Sequence, residues 1–265
     1  MLKLLRIEWM KLKHYRTFWI LSALYLISIV GLNFIVFYVQ QRIFEEKQSK
    51  GLAELVIGNR PYSFPTVWQM TSYVSGFLLF LPGLLMIIFI TNEYSFKTHR
   101  QNIIDGWSRK EFISVKLVLA LIIAFASTLI VIITAMIFGF QLENSFSLDK
   151  FEHVGYFFIQ ALSYGLVSVI IAVLVRRGGL AIGIYFMYAV VLENVLSKVM
   201  NHWLNDTGRF LPLQSTDELI PLPVFERMQR QIIGAPNYPV LFVVVTLYLV
   251  AYLVFIQRKF LRSDL

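Results

Sequence analysis

Long apolar stretches separated by short polar segments dominate the pattern of this chain. A helix needs about 20 apolar residues to cross the roughly 30 Å hydrocarbon core of a bilayer. The stretches are apolar on all sides, whereas the strands of a membrane β-barrel alternate between apolar and polar positions. The pattern therefore predicts one all-α, polytopic membrane domain over residues 1–265. Its six predicted transmembrane helices are 18–38, 72–91, 117–138, 155–175, 180–196 and 239–256.

Composition supports a membrane protein. Of the 265 residues, 57% are hydrophobic and only 15% are charged, whereas soluble domains carry about 25% charged residues. The 24 Lys and Arg and 16 Asp and Glu residues all lie outside the six stretches, except Glu193. The chain contains no Cys, which excludes disulfides and thiolate metal sites.

The distribution of charge predicts the orientation in the membrane. Residues 1–17, 92–116, 176–179 and 257–265 together hold 15 Lys and Arg but 5 Asp and Glu, and the segments on the other side hold 9 and 10. Cytoplasmic loops are enriched in Lys and Arg, so both termini are expected in the cytoplasm. Anionic membrane lipid accounts for the net charge of +8 without a nucleic-acid partner.

The N-terminal segment predicts an amphipathic helix that lies in the membrane interface. Leu5, Trp9 and Leu12 fall on one side of a helix formed by residues 2–15, and basic residues occupy most of the rest. Basic helices with Trp on the apolar face bind in the head-group plane. The simpler alternative is a short basic anchor that only sets topology.

The cytoplasmic loop at 92–112 is predicted to be structured. Residues 93–105 are expected to form a short helix on which Phe96 and Ile103 share a face, with Trp107 one turn later and Gly106 as the stop. Such a helix, lying across the ends of two spans, is suited to docking another protein. The alternative is a helix resting on lipid head groups.

The start of the third span carries two independent helix signals. Ser108 followed by Glu111 forms a capping box, and Trp107 followed by Phe112 forms a hydrophobic staple. The third helix is therefore expected to begin at Ser108.

The second and fifth spans contain the features that interrupt the apolar pattern. Pro82-Gly83 predicts a kink near the middle of the second span. In the fifth span, Tyr185, Ala189 and Glu193 recur every four residues. Glu193 either lines a path through the protein or lies at the outer interface, if the helix ends near Leu192. Outside the membrane, short helices are expected at 198–204 and 224–233.

The sequence carries no motif of a catalytic site. It has no phosphate-binding loop and no His-Glu-x-x-His metal motif, and its four His residues are scattered. We therefore expect no enzyme activity, no catalytic residue and no bound metal or cofactor in this chain.

Over nearly its whole length, the chain resembles the permease subunits of bacterial ABC-2-type exporters. The order of parts is similar: a basic amphipathic helix, six spans, a signature in the loop between the second and third spans, and a long outer segment before the last span. The residues that carry the resemblance are Glu8 and Lys11 in the first helix, and Glu93-Tyr94, Thr98, Arg100, Ser108-Arg109 and Lys116 in and after the loop.

The resemblance implies a type V ABC transporter fold in the bacterial cytoplasmic membrane. The loop would act as a coupling helix seated on a separate ABC ATPase subunit, present in two copies, which binds ATP and Mg. A second permease chain, identical or different, would complete the complex. The implied docking residues are Glu93, Tyr94, Phe96, Lys97, Arg100, Asn102, Ile103, Trp107 and Arg109.

By the same resemblance, the transport path would run along the second and fifth spans. The candidate path residues are Tyr185, Ala189, Glu193 and Asn194. The competing hypothesis is a non-transporting membrane scaffold or assembly factor that uses the same loop to recruit a cytoplasmic partner. An ion-driven secondary transporter would need more buried ionisable residues or an internal repeat, and the sequence shows one such residue and no repeat.

Overall fold

A computed structural model describes residues 2–45, 60–104, 106–142, 145–204, 206–224 and 237–262. Within these ranges every regular element is a helix and no strand occurs. The predicted all-α fold class is confirmed.

The described residues form eleven α-helices, numbered in chain order. α1 is Leu2–Lys13, α2 is Arg16–Glu45, α3 is Val67–Gly76, α4 is Phe80–Ser95, α5 is Thr98–Ile104, α6 is Arg109–Leu142 and α7 is Glu152–Val175. α8 is Gly178–Phe186, which continues through the π-helical turn Met187–Leu192 into α9, Glu193–Trp203. The 3-10 turn Thr207–Phe210 precedes α10, Gln214–Asp217, and α11 is Tyr238–Arg262.

Five of these helical units are long and apolar enough to cross a membrane: α2, α6, α7, α8 with α9, and α11. The sixth predicted span corresponds to α3 and α4, which meet at a bend of 46° and form either a broken span or a re-entrant loop. The part of the chain that the structure describes therefore has the helices of a multi-pass membrane protein.

The bend between α3 and α4 has its cause in Pro82. In a regular helix the Leu78 carbonyl accepts a hydrogen bond from the residue four positions later, but Pro82 has no N–H. The Leu78 carbonyl accepts from Leu81 N instead, at 3.0 Å. The predicted kink is present, but it lies in the turn before Pro82-Gly83, because the proline ring displaces the turn that precedes it.

α7 is the central helix of the bundle. In its most apolar 18-residue stretch, 56% is buried inside the protein, against 22% to 39% for the other four candidate spans. It packs against α3, α4, α6, α8, α10 and α11. The outer helices leave large apolar side chains exposed, such as Ile27 on α2, Phe125 on α6 and Leu247 on α11. These faces suit hydrocarbon rather than water.

One end of the bundle gathers all four segments that the charge distribution assigns to one side of the membrane. α1 meets α4 and α6 there in a cluster of ion pairs. Arg176, between α7 and α8, lies 5.3 Å from the ring centre of Tyr94. Near the end of α11, Phe260 stacks on Phe112 at 5.0 Å. The four segments thus share one end, and its cytoplasmic location stays a prediction.

Two predicted helices differ from the structure. The helix expected over 93–105 is split, because α4 continues to Ser95 and Lys97 adopts a left-handed φ of 56° before α5 begins. The short helix expected at 198–204 is the end of α9, so the helix of the fifth predicted span continues past Leu192 to Trp203. The helix predicted at 224–233 lies almost wholly outside the described residues.

Candidate functional site

α1 packs against the helix bundle through a face that contains a carboxylate. Glu8 is fully buried and Leu12 is 4% exposed, whereas Trp9 is 51% exposed. The predicted apolar side of Leu5, Trp9 and Leu12 is therefore only partly right. Trp9 turns outward and meets Phe18 edge to face, because Glu8 takes the inward position.

Glu8 belongs to a buried cluster of four charged side chains, which we call the ion cluster: Glu8, Lys11, Glu93 and Lys116. Lys11 Nζ lies 3.0 Å from Glu8 Oε1 and 2.9 Å from Glu93 Oε1. Lys116 Nζ pairs with Glu8 Oε2 and lies 2.8 Å from Glu93 Oε2. Two carboxylates and two ammonium groups alternate, so the cluster balances its own charge while joining α1, α4 and α6.

Lys116 is the more enclosed of the two cations in the ion cluster. Its side chain is 1% exposed, and its Nζ lies 4.3 Å from the ring centre of Phe89 and 5.0 Å from that of Phe112. Aromatic faces stabilise a cation electrostatically. Removing one partner of a buried ion pair typically costs about 3–5 kcal/mol, because the other charge is left uncompensated. The cluster therefore fixes α1 against the beginning of α6.

Lys11 lies on the more exposed side of the ion cluster. Burial alone would lower the pKa of Lys11, but the carboxylates of Glu93 and Glu8 outweigh burial and raise it. The Lys11 ammonium group also lies 5.8 Å from the ring centre of Trp107. Lys11 thus stays charged at neutral pH and links α1 to the loop that follows α5.

The loop between α4 and α6, which the ion cluster supports, exposes apolar side chains outside the bundle. Phe96 is 74% exposed and Ile104 is 77% exposed, and Lys97 beside Phe96 is also exposed. We call Phe96, Lys97 and Ile104 the loop surface. The docking residues predicted from the sequence include Phe96 and Lys97 but not Ile104. Two consecutive isoleucines on a seven-residue helix were the available signal, since they point about 100° apart.

The other predicted docking residues are more enclosed. Glu93, Asn102 and Trp107 are buried, and Tyr94 and Arg109 are half-buried. The side chains of Arg100 and Ile103 lie outside those that the structure describes. Phe96 lies in the turn before α5, so the single helix face predicted to carry Phe96 and Ile103, with Trp107 one turn later, is not formed.

The start of α6 follows the prediction closely. The N–H of Ser108 donates to Glu111 Oε2 at 2.9 Å, and the N–H of Glu111 donates back to Ser108 Oγ at 3.2 Å. This reciprocal pair is a capping box. Trp107 and Phe112, the predicted staple, are both buried in the same hydrophobic core.

The predicted path residues lie near the opposite end of the bundle, where they line a cavity or pack behind its wall. Tyr185, Ala189 and Glu193 are all buried. Tyr185 packs directly on Gly83 of α4, in the space that a side chain at position 83 would fill. Tyr185 therefore holds α8 against α4 by close packing.

Glu193 has a structural partner that neither sequence hypothesis foresaw. Its carboxylate accepts hydrogen bonds from the backbone N–H groups of Leu213 and Gln214, the latter at 3.0 Å. These are donors at the start of α10, where the amides of a helix lack intrahelical partners. Glu193 thus connects the start of α10 to α9, and it lies within a continuous helix instead of at its end.

A cavity of about 530 Å³ lies beside this contact, bordered by α3, α4, α7, α9 and α10. Of the four predicted path residues, Ala189 and Asn194 line it, whereas Tyr185 and Glu193 do not. The path residues predicted from the sequence do not include Gln160, Tyr164 and Asp217, three of the polar residues that line the cavity. Gln160 and Tyr164, four positions apart in an apolar helix, were a readable sign of a polar helix face. A role of this cavity in transport stays a prediction.

The comparisons do not assign the chain to a family. It matches no protein-family model and no curated protein sequence. The resemblance to ABC-2-type permeases therefore enters the functional argument only as a proposal.

Proposed function

We propose that this chain is the transmembrane permease subunit of an ATP-driven ABC exporter, with type V architecture, which moves its substrate outward across or out of the bacterial cytoplasmic membrane. A separate ABC ATPase subunit docks on the loop between α4 and α6. Two such ATPase subunits supply ATP and Mg, and two permease chains, identical or different, complete the complex.

The loop surface carries the proposal. Phe96 and Ile104 are apolar side chains that a loop between two spans does not need. Phe96 is exposed in the turn before α5, and Ile104 is exposed at the end of α5. Exposed apolar groups next to charged ones are typical of protein-binding sites. Lys97 supplies such a charge in the loop surface.

The ion cluster supports this proposal mechanically. A partner that moves the loop also moves Glu93 at the end of α4, and Glu93 is paired with Lys11 of α1 and Lys116 of α6. A push on the loop is thereby passed to three helices at once. A loop that only connected two spans would need no such support.

Site-specific photo-crosslinking in the native host tests the proposal. A photoreactive amino acid is placed at position 96 or 104, with position 146 as a matched control, because Phe146 is exposed near the opposite end of the bundle. We expect adducts from positions 96 and 104 with a protein whose peptides contain a phosphate-binding loop, and none from position 146. Adducts with lipid alone would contradict docking, and adducts with a protein lacking that loop would favour the scaffold hypothesis.

A functional measurement completes the test. In proteoliposomes containing the ATPase found by crosslinking, we expect the double variant Phe96→Asp with Ile104→Asp to abolish substrate-stimulated ATP hydrolysis while membrane insertion persists. Phe146→Asp is the control and should leave hydrolysis unchanged. Unaltered stimulated hydrolysis in the double variant would overturn the proposed coupling role.

A further inference from the structure

The cavity beside α10 has the dimensions and lining of a small-molecule site. Its volume of about 530 Å³ falls within the roughly 300–1,000 Å³ of known ligand pockets. Aromatic side chains of Tyr73, Phe77 and Phe80 form part of the wall, next to polar groups. Pockets that bind organic molecules combine a mostly apolar wall with a few converging polar groups in this way.

Asp217 is the polar group whose charge is unbalanced. Its Oδ1 accepts a hydrogen bond from Gln160 Nε2 at 2.8 Å, and its Oδ2 accepts one from the Tyr164 hydroxyl at 3.1 Å. Both donors are neutral. Among the described residues no cationic side chain lies within ion-pair distance of Asp217, and the charges that act on its ionisation, those of Glu193 and Glu218, are both negative.

Gln160 supplies an independent sign of a missing partner. It is 5% exposed and lines the cavity. Its Nε2 is used by Asp217, while its Oε1 has no hydrogen-bond partner among the described residues. A Cβ at position 76 would lie 3.0 Å from Nε2 and 3.1 Å from Oε1, so Gly76 leaves the room that this amide occupies. A buried acceptor without a donor is costly.

One ligand chemistry satisfies both groups. An ammonium ion offers three donors and no acceptor, so it pairs with the Asp217 carboxylate and also donates to Gln160 Oε1. The aromatic wall accommodates an apolar body and stabilises a nearby cation. Lys198 also lines the cavity, and its positive charge disfavours a ligand with a second ammonium group.

We propose that this cavity binds an organic ammonium ion that carries a single positive charge and an apolar body, with Asp217 as its counter-ion and Gln160 as a second acceptor. The proposal goes beyond the docking of an ATPase, because it concerns the other end of the bundle and is tested without any partner protein.

The test is a fluorescence titration of the full-length chain in nanodiscs with dansylcadaverine, a primary amine on an aromatic body. The control ligand is the same compound with a hydroxyl group in place of the amine. We expect saturable binding of the amine above empty nanodiscs. Asp217→Asn should weaken amine binding at least about tenfold and leave binding of the hydroxyl compound within about twofold. Glu218→Gln, in the same cavity, should weaken amine binding less than threefold.

Two further variants keep the test decisive. If Asp217→Asn fails to fold, Gly76→Ala displaces the Gln160 amide and should weaken the amine more than the hydroxyl compound, with Gly183→Ala as a control in open space. If either cavity variant weakens the binding of both ligands equally, Asp217 and Gln160 have a structural role and do not recognise the ammonium group. Binding no greater than to empty nanodiscs would overturn the proposal, and neither result would affect the crosslinking test of ATPase docking.

Discussion

Lys116 of α6 and Glu93 of α4 form a buried ion pair of 2.8 Å in which both side chains are at most 5% exposed. Glu8 of α1 shares the same Lys116 ammonium group. A single cation therefore joins three helices at one end of the bundle, and its removal would leave Lys11 as the one remaining cation of the ion cluster beside two buried carboxylates.

Replacing Lys116 by Met is expected to be strongly destabilising. The variant keeps a similar side-chain length but leaves one negative charge uncompensated, at a cost of about 3–5 kcal/mol. Adding Glu8→Gln removes that excess charge and should recover part of the loss. The midpoint of thermal unfolding of each variant is measured in detergent, with size-exclusion chromatography as the readout.

Lys110→Met is the matched control, because Lys110 is exposed on the same helix and exposed charges contribute little to stability. Equal midpoints for Lys116→Met and Lys110→Met would show that the ion cluster does not hold the three helices together.

Gly83 and Tyr185 give a second prediction, on the packing of α4 against α8. A Cβ at position 83 would overlap the ring of Tyr185, and overpacking a filled core typically costs about 1–3 kcal/mol. Gly83→Ala should therefore lower the unfolding midpoint, and adding Tyr185→Leu should restore part of it by removing the ring.

Gly183→Ala serves as the control for this pair, because nothing lies within 4 Å of its Cβ position. If Gly83→Ala is as stable as Gly183→Ala, or if Tyr185→Leu gives no recovery, the close contact is not what holds these helices.

The sequence predicted the features that depend on neighbouring residues. The apolar stretches are continuous, so six spans were predicted; five correspond to helices long enough to cross a membrane, and the sixth corresponds to the bent pair α3 and α4. The capping box of Ser108 and Glu111 needs only four consecutive positions. The ion cluster could not be derived in this way, because Glu8 and Lys116 are 108 positions apart. Glu8 explains why the predicted apolar face of α1 was only partly right. The contact of Asp217 with Gln160, 57 positions away, could not be predicted from the sequence for the same reason.

Glu193 gives a third prediction, which separates capping from a charged path. If the carboxylate serves as a cap, Glu193→Gln keeps an oxygen for the N–H groups of Leu213 and Gln214 and should preserve most of the protection from hydrogen exchange there. Glu193→Ala removes the acceptor and should accelerate exchange about 2- to 30-fold, as the loss of a helix cap costs roughly 0.5–2 kcal/mol. Hydrogen-exchange mass spectrometry of peptides covering 211–219 measures this.

Asn194→Ala, on the adjacent and exposed position, should leave exchange in that segment unchanged. A path that required a negative charge would instead lose activity equally in Glu193→Gln and Glu193→Ala, while exchange over 211–219 stayed as in the native chain.

Asp217 gives the last prediction, a pH dependence of ammonium binding. Burial raises the pKa of Asp217 to about 7, a rise that hydrogen bonds from Gln160 and Tyr164 oppose and the charge of Glu193 reinforces. At pH 6 most of this carboxyl group is therefore protonated, and at pH 8 most of it is ionised. A primary amine keeps its charge over this range, since its pKa is about 10.4.

Dansylcadaverine should therefore bind about tenfold more tightly at pH 8 than at pH 6, because only the ionised carboxylate is a counter-ion. Asp217→Asn should remove this dependence. Other titratable groups that interact with Asp217 or share its cavity are Tyr73, Tyr164, Tyr185, Glu193, Lys198 and Glu218. Glu218 also has a raised pKa, through burial that the charge of Arg209 opposes, so Glu218→Gln is the control and should keep the tenfold step. If the step persists in Asp217→Asn and disappears in Glu218→Gln, the counter-ion is Glu218 instead of Asp217.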